Sequence, residues 1–127
     1  MNIFVYGTLR VGGGLDRMFS SKDLKPIGEF LTEPLYTLYD CGVPCLYDDG
    51  NTSVKGEIYS VDLEKVMDIH TLELYAGYRF CKIYIQDFPE EVYGYLRPPY
   101  PDSPKVESGD WIEYRRRKDE AYLHLEE

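Results

Sequence analysis

The chain has 127 residues, of which 43% are hydrophobic and 15% aromatic, enough for one domain with a substantial core and too few for two. Its formal net charge of −9 argues against nucleic acid and anionic membrane surfaces as partners, because both would repel it. No apolar run approaches the ~20 residues that cross a bilayer, so we expect a soluble protein.

The cysteine pattern predicts reduced thiols. The chain has three cysteines, and its first predicted strand begins at the first residue, which leaves no room for a signal peptide. We therefore expect a cytoplasmic protein. Cys41 and Cys45 are four residues apart, but His70 and His124 do not stand at zinc-finger spacing. These cysteines and Cys81 are interpreted as packing residues, with no metal.

The first ten residues form the most informative stretch. Residues 3–5 are apolar with high β propensity, which predicts a strand buried on both faces. The strand ends at Tyr6-Gly7, where glycine permits a sharp turn and the close approach of a ligand. Thr8 and Leu9 then offer free backbone N–H groups and Arg10 adds a cation, an arrangement that could hold a carboxylate or a developing oxyanion. The alternative is a first strand followed by an ordinary loop.

Short strands follow. Between residues 24 and 39, prolines interrupt an apolar stretch, which predicts two short strands with a bend. Residues 40–47 indicate a turn and an irregular strand, and the Asp-Asp-Gly-Asn sequence of residues 48–51 is a strong turn signal. Residues 54–61 alternate as a half-buried strand does.

The second half contains a predicted hairpin. Residues 78–85 and 91–96 have strand character and are close enough in sequence to pair. Residues 97–104 contain four prolines, so we expect a surface loop there. Trp111 is expected to close one end of the core. The basic run 115–118 is interpreted as a solvated helix face rather than a binding patch, because acidic residues follow it.

The clearest helical pattern begins after Asp62, which can cap it. Leu63, Val66 and Leu74 lie on one apolar stripe, and Gly77 suits the end of the helix. With a weaker helix over residues 15–19, the elements predict an α+β domain: a small mixed β-barrel with one main helix and one or two short helices. We assign residues 1–114 to this domain and residues 115–127 to a charged tail.

Glu73 is the candidate acid–base residue. It lies in the last turn of the predicted main helix, where the helix dipole disfavours a carboxylate, and Tyr75 and Tyr78 could enclose it. Burial would raise its proton affinity and suit it to general acid–base catalysis near neutral pH. The alternative is an ordinary glutamate on a solvated helix surface.

Four motifs occur in the order typical of one family. The first, Tyr6-Gly7-Thr8-Leu9-Arg10, resembles the YG(S/T)L signature of the gamma-glutamylcyclotransferase-like superfamily. Residues 54–59 (Val-Lys-Gly-Glu-Ile-Tyr) are similar to its V-x-G-E-ϕ-Y strand. Residues 69–75 resemble its L-D-x-L-E-x-Y helix end and are followed by Tyr78-Arg79, and residues 108–111 contain a late G-D-W element.

The resemblance implies a small mixed barrel with a cavity at one mouth. In such enzymes the signature-loop amides hold the γ-glutamyl part of a substrate, and the helix-end glutamate, here Glu73, moves a proton while the substrate's α-amine attacks its own γ-carbonyl. The products are 5-oxoproline and a free amine or amino acid. The residues expected to bind substrate are Tyr6, Gly7, Thr8, Leu9, Arg10 and Tyr78.

The same resemblance implies no metal and no cofactor. The expected partner is a small-molecule γ-glutamyl substrate, and we expect a monomer or weak homodimer. Two alternatives to an enzyme stay open. One is a non-catalytic small-molecule binding module on the same fold, and the other is an interaction module that uses the acidic surface and the basic tail.

Overall fold

The computed structural model describes residues 1–7, 10, 26–62, 64, 66–68 and 76–125, without the side chains of the last two. The predicted site residues Thr8, Leu9 and Glu73 and the weak helix over residues 15–19 lie outside this part. The described strands are β1 (Asn2–Val5), β2 (Gly28–Leu31), β3 (Tyr36–Asp40), β4 (Pro44–Thr52), β5 (Lys55–Ser60), β6 (Arg79–Ile83) and β7 (Val92–Leu96). They are followed by the helix α1 (Trp111–Leu125).

Strand β1 is the central strand of a mixed five-stranded sheet with the order β2-β5-β1-β7-β6. It pairs antiparallel with β5 and parallel with β7. Ile3 and Phe4 are each 1% exposed, which confirms the prediction of a strand buried on both faces. Because alternate side chains of a strand point to opposite faces, Phe4 belongs to one hydrophobic cluster, and Ile3 and Val5 belong to the other.

The two clusters form the core on either side of the sheet. The first includes Leu38 and Leu46 of the β3–β4 hairpin together with Trp111, which is 3% exposed, as expected for a residue that closes the core. The second includes Val66 and Tyr78. The sheet is therefore covered on one side by the hairpin and the start of α1, and on the other by the segment that follows β5.

The α+β fold is confirmed, and the term barrel applies only loosely, because the described strands do not close. The edge strands β2 and β6 meet only at one isolated bridge, between Thr32 and Ile85. The pairing stops because the Tyr84 N–H donates to the Tyr36 hydroxyl and the Glu33 carbonyl accepts the Leu35 N–H, and Asp87 turns the other chain away with a φ of 60°. The sheet therefore curls until its edges touch at one point, without a continuous ladder around it.

Strand β4 continues through the predicted turn. Its pairing with β3 steps from Thr37 opposite Tyr47 to Tyr36 opposite Thr52, so residues 48–51 leave the ladder as a wide bulge and the strand resumes at Thr52. The prediction of a turn was wrong: these residues belong to β4, whose pairing with β3 shifts register there and resumes at Thr52. The predicted β6–β7 hairpin is confirmed.

The helices differ in part from the prediction. The longest described helix is α1, in which the basic residues 115–118 are exposed, which confirms the interpretation as a solvated helix face. After Asp62, residues 64 and 66–68 are helical, and the Val66 N–H donates to the Asp62 carbonyl over 3.1 Å. Gly77 has a φ of 89°, as a helix C-cap requires. Helix α1 runs across residue 115, and the division into domain and tail stays a prediction.

Gly56, in the motif of residues 54–59, allows β1 and β5 to lie close together. A Cβ atom at this position would lie 2.4 Å from both Phe4 Cζ and the Val5 carbonyl oxygen. We expect Gly56→Ala to lower the free energy of unfolding by about 3 kcal/mol, because the two central strands would have to separate. Urea unfolding measures this change.

Gly28→Ala is the matched control. A Cβ atom there would lie 3.3 Å from the mobile end of the Phe30 ring, which can give way. We expect a change within about 1 kcal/mol. Equal losses in the two variants would show that close strand approach at Gly56 is not the cause.

Candidate active site

One end of the five-stranded sheet collects residues from several motifs. Because β1 and β7 are parallel, their carboxyl ends lie side by side, and the antiparallel strand β6 begins at the same end. This topology brings together Tyr6-Gly7 after β1, Arg97 after β7 and Tyr78 before β6. Glu57 of β5 lies at this end too, opposite Val5.

The turn after β1 is packed tightly against the start of β4. A Cβ atom on Gly7 would lie 2.2 Å from Pro44 Cγ, and Gly7 does not have a positive φ, so glycine is required here for space. The Gly7 carbonyl accepts the Arg10 N–H over 3.0 Å. The buried Tyr6 hydroxyl donates to the Tyr95 carbonyl over 2.6 Å. Residues 6 and 7 are therefore held in one position from both sides.

Tyr78 lies beside this turn. Its buried hydroxyl donates to the Pro44 carbonyl over 2.6 Å, and the Arg97 guanidinium lies 5.6 Å from its ring centroid. Pro44 thus contacts both Gly7 and Tyr78 and connects two predicted site residues. Sequence reasoning missed Pro44 and Arg97, since the first lay in a stretch interpreted as a turn with an irregular strand and the second opened a proline-rich loop.

The first and last motifs meet in a buried ion pair. Arg10 is 4% exposed, and its Nη1 donates to Asp110 Oδ1 over 2.9 Å. The same carboxylate oxygen accepts the Glu113 N–H over 3.3 Å and so caps the N-terminus of α1. The Arg10 guanidinium therefore links the signature loop to the start of α1.

Asp110 is charged in this arrangement. Burial by itself raises the pKa of a carboxyl group, but the hydrogen bonds from Arg10 and from the Glu113 N–H, together with the Arg10 charge, outweigh it. The pKa of Asp110 consequently lies below its usual value.

Glu57 and the cysteines complete the surroundings. Glu57 is a buried carboxylic acid on the same face of β5 as Tyr59, and sequence reasoning had quoted it in a motif without assigning it a role. Cys41, Cys45 and Cys81 are all free thiols, as expected. Burial, with a smaller effect from Cys41, raises the pKa of Cys45 to about 12, so this thiol is neutral at physiological pH.

The described residues contain neither a metal-binding cluster nor a membrane-spanning helix. No group of three or more His, Cys, Asp and Glu side chains in this part of the chain could hold a metal ion. In the same residues, no helix combines the length and apolar character needed to cross a membrane.

The predicted site residues thus divide into two groups. The structure places Gly7 and Tyr78 against Pro44, Tyr6 in a hydrogen bond to the Tyr95 carbonyl, and Arg10 in an ion pair with Asp110. The other predicted site residues, Thr8, Leu9 and Glu73, are outside the described part. The roles of all these residues in binding and catalysis stay predictions.

The Arg10–Asp110 pair provides a stability test. Asp110→Asn removes the charge and leaves an amide oxygen that can cap α1, so we expect the unfolding free energy at neutral pH to fall by about 3 kcal/mol. Since the folded pKa of Asp110 is depressed, its contribution is present above the unfolded carboxyl pKa and is lost as the pH falls through the folded value. Denaturant unfolding across a pH series should show the wild type approaching the variant in acid.

The exposed pair of Lys55 and Glu29, 3.1 Å apart, is the control. We expect Glu29→Gln to change stability by less than about 1 kcal/mol, because solvent screens this pair. If Asp110→Asn had no larger effect than Glu29→Gln, the buried pair would not hold the loop to the helix.

Comparison with known proteins gives a consistent picture. The family described as "Gamma-glutamyl cyclotransferase, AIG2-like" matches residues 3–113. A Vibrio cholerae protein, provisionally named as a gamma-glutamylcyclotransferase, is 34% identical over 112 residues, which cover 87% of this chain and 95% of the relative. The gamma-glutamylcyclotransferase family protein YtfP of Escherichia coli K12 is 31% identical over 114 residues, covering 89% of this chain and 97% of the relative.

Solved structures show the same fold. An uncharacterized protein from Pyrococcus horikoshii superposes with a TM-score of 0.78 at 30% identity, covering 94% of this chain and 97% of that one. A mouse AIG2-like protein superposes with a TM-score of 0.71 at 23% identity, covering 86% and 87%. The family expected from the four motifs is confirmed: the chain belongs to the AIG2-like gamma-glutamyl cyclotransferase family.

Proposed function

We propose that this protein is a metal-independent cyclotransferase that converts the γ-glutamyl part of a γ-glutamyl amide or amine to 5-oxoproline and releases the amine or amino acid. The observation that carries the proposal is the family match over residues 3–113. The contacts around Pro44 support it, because they gather the Tyr6-Gly7 turn and Tyr78 at one end of the sheet.

The proposed reaction is an intramolecular acyl transfer. The substrate's α-amine nitrogen attacks its own γ-carbonyl carbon, the bond from that carbon to the leaving nitrogen breaks, and the two protons that the α-ammonium nitrogen loses in becoming the lactam N–H end on the leaving nitrogen, which departs as an ammonium group. Neither water nor an oxidant is consumed. Because the nucleophile and the carbonyl belong to one molecule, the protein has mainly to fold the substrate and stabilise charge.

The protein groups divide this work. In the proposal, backbone N–H groups of residues 6–9 face the γ-carbonyl oxygen and stabilise the oxyanion, and Glu73 takes the ammonium proton and returns it to the leaving amine. Tyr78 forms a wall of the site instead of transferring protons, because its hydroxyl already donates to the Pro44 carbonyl. Arg10 positions the loop through Asp110.

Release of 5-oxoproline from a panel of γ-glutamyl dipeptides, γ-glutamyl-lysine and glutathione tests the proposal. We expect Glu73→Gln to lower the turnover rate by ~10²-fold or more, since it keeps the size of the side chain and removes its titrating proton. Glu64→Gln is the matched control, because Glu64 is exposed and helical in the segment after Asp62. It should keep the wild-type rate.

The panel also separates the enzyme from its alternative. Equal activity of wild type and Glu73→Gln would remove Glu73 from the mechanism. Folded wild-type protein that binds γ-glutamyl compounds in calorimetry and releases no 5-oxoproline would be the non-catalytic binding module.

Gly7→Ala tests the packing of the signature loop. The added methyl group would collide with Pro44 Cγ and shift the loop amides, so we expect kcat/KM to fall by ~10-fold or more. Pro44→Ala removes Cγ and Cδ, and the double variant should recover part of the loss. A double variant as impaired as the sum of the two single variants would show that this contact does not position the loop.

A further inference from the structure

Arg97 is a half-buried cation without an acidic partner in the described part of this acidic chain. The sequence has 23 acidic and 14 basic residues, so most cations should find a carboxylate. Among the described residues, six basic side chains do so: Arg10, Lys55, Lys82, Arg116, Arg117 and Lys118. Arg97 makes no such pair, although it is less exposed than several that do.

Aromatic side chains fix the position of Arg97. Its guanidinium lies 5.6 Å from the ring centroid of Tyr78 and 5.1 Å from that of Tyr100, and Nη2 donates to the Tyr100 hydroxyl over 2.5 Å. Its backbone N–H donates to the Leu46 carbonyl over 3.1 Å. Stacking on rings uses the face of a guanidinium and leaves N–H groups at its edge for a ligand.

Among the described residues, no acidic side chain pairs with this charge, and those of Cys45, Tyr78 and Tyr100 lie near the guanidinium. Cys45 is a neutral thiol at physiological pH, and the Tyr78 hydroxyl donates its proton to Pro44. A partly desolvated cation in such surroundings is stabilised by a carboxylate, which can accept two parallel hydrogen bonds from the guanidinium edge.

Tyr78 connects this cation to the proposed reaction site. The Arg97 guanidinium lies over the Tyr78 ring, and the Tyr78 hydroxyl donates to the Pro44 carbonyl. Gly7 packs against the side chain of Pro44. Arg97 thus lies beyond Tyr78 and Pro44 as seen from the loop assigned to the γ-glutamyl group. The part of a substrate that extends beyond that group is the leaving amino acid.

We propose that Arg97 binds the carboxylate of the leaving amino acid and is the specificity-determining residue that favours γ-glutamyl amino acids over γ-glutamyl amines lacking a carboxylate. The inference rests on the proposed function. A local cation is needed because the net charge of −9 repels an anionic substrate elsewhere on the surface.

Two substrates that differ in a single group test this role. γ-Glutamyl-alanine and γ-glutamyl-ethylamide share the γ-glutamyl part and a two-carbon leaving group, and only the first carries a carboxylate on it. We expect Arg97→Gln to lower kcat/KM for γ-glutamyl-alanine by ~10–100-fold, as for the loss of a charge-assisted hydrogen bond, and to change that for γ-glutamyl-ethylamide by less than ~3-fold. Arg97→Lys should recover part of the activity on γ-glutamyl-alanine.

Arg115→Gln is the matched control. Arg115 also lies over an aromatic ring, that of Trp111 at 5.9 Å, and makes no ion pair with a described residue, but it is exposed on α1. It should leave both substrates unaffected. Equal losses on both substrates in Arg97→Gln would overturn the proposal and indicate contact with the α-carboxylate of the γ-glutamyl group or a structural role.

A binding experiment keeps this inference separate from the proposed reaction. If folded wild-type protein converts neither these compounds nor any member of the panel, the proposed function fails, and calorimetry with the same two compounds then decides the role of Arg97. Tighter binding of γ-glutamyl-alanine by wild type, with the preference lost in Arg97→Gln, supports carboxylate binding. Equal affinities for the two compounds, or binding of neither, overturns it.

Discussion

The buried ion pair between Arg10 and Asp110 joins segments that are 100 residues apart and sets where the signature loop can lie. One carboxylate performs two tasks, since it pairs with Arg10 and caps α1 through the Glu113 N–H. Asp110 is itself preceded by Gly109, whose carbonyl accepts the Lys55 N–H over 2.8 Å. The loop after β1, the start of β5 and the start of α1 are thereby fixed to one another.

Close backbone packing explains why two of the family's motif glycines stand where they do. Gly56 lets β5 lie directly on Phe4 and Val5, and Gly7 lets the loop lie directly on Pro44. Neither needs a positive φ, so space and not backbone conformation is the constraint at both sites. In a catalytic loop this matters because amides can stabilise an oxyanion only when their positions are fixed before the substrate arrives.

The sequence predicted features that depend on local patterns. The apolar run of residues 3–5 identified the central strand, the alternation around residues 78–96 identified the β6–β7 hairpin, and four ordered motifs identified the family. Features that depend on distant partners were not predictable in this way. The single bridge between Thr32 and Ile85, which leaves the barrel open, depends on how far the sheet curls. The wide bulge in β4 depends on β3 resuming its pairing beyond residues 48–51.

The same limit applies to the candidate site. A sequence shows that Arg10 and Arg97 are cations, but only the folded chain distinguishes the two, because one meets Asp110 and the other meets two tyrosine rings. Arg10, although part of the signature, is neutralised inside the protein. Arg97, outside every motif, has no acidic partner among the described residues. If anionic substrates are bound at this end of the sheet, the backbone amides of the loop and Arg97 would act on different parts of the same molecule.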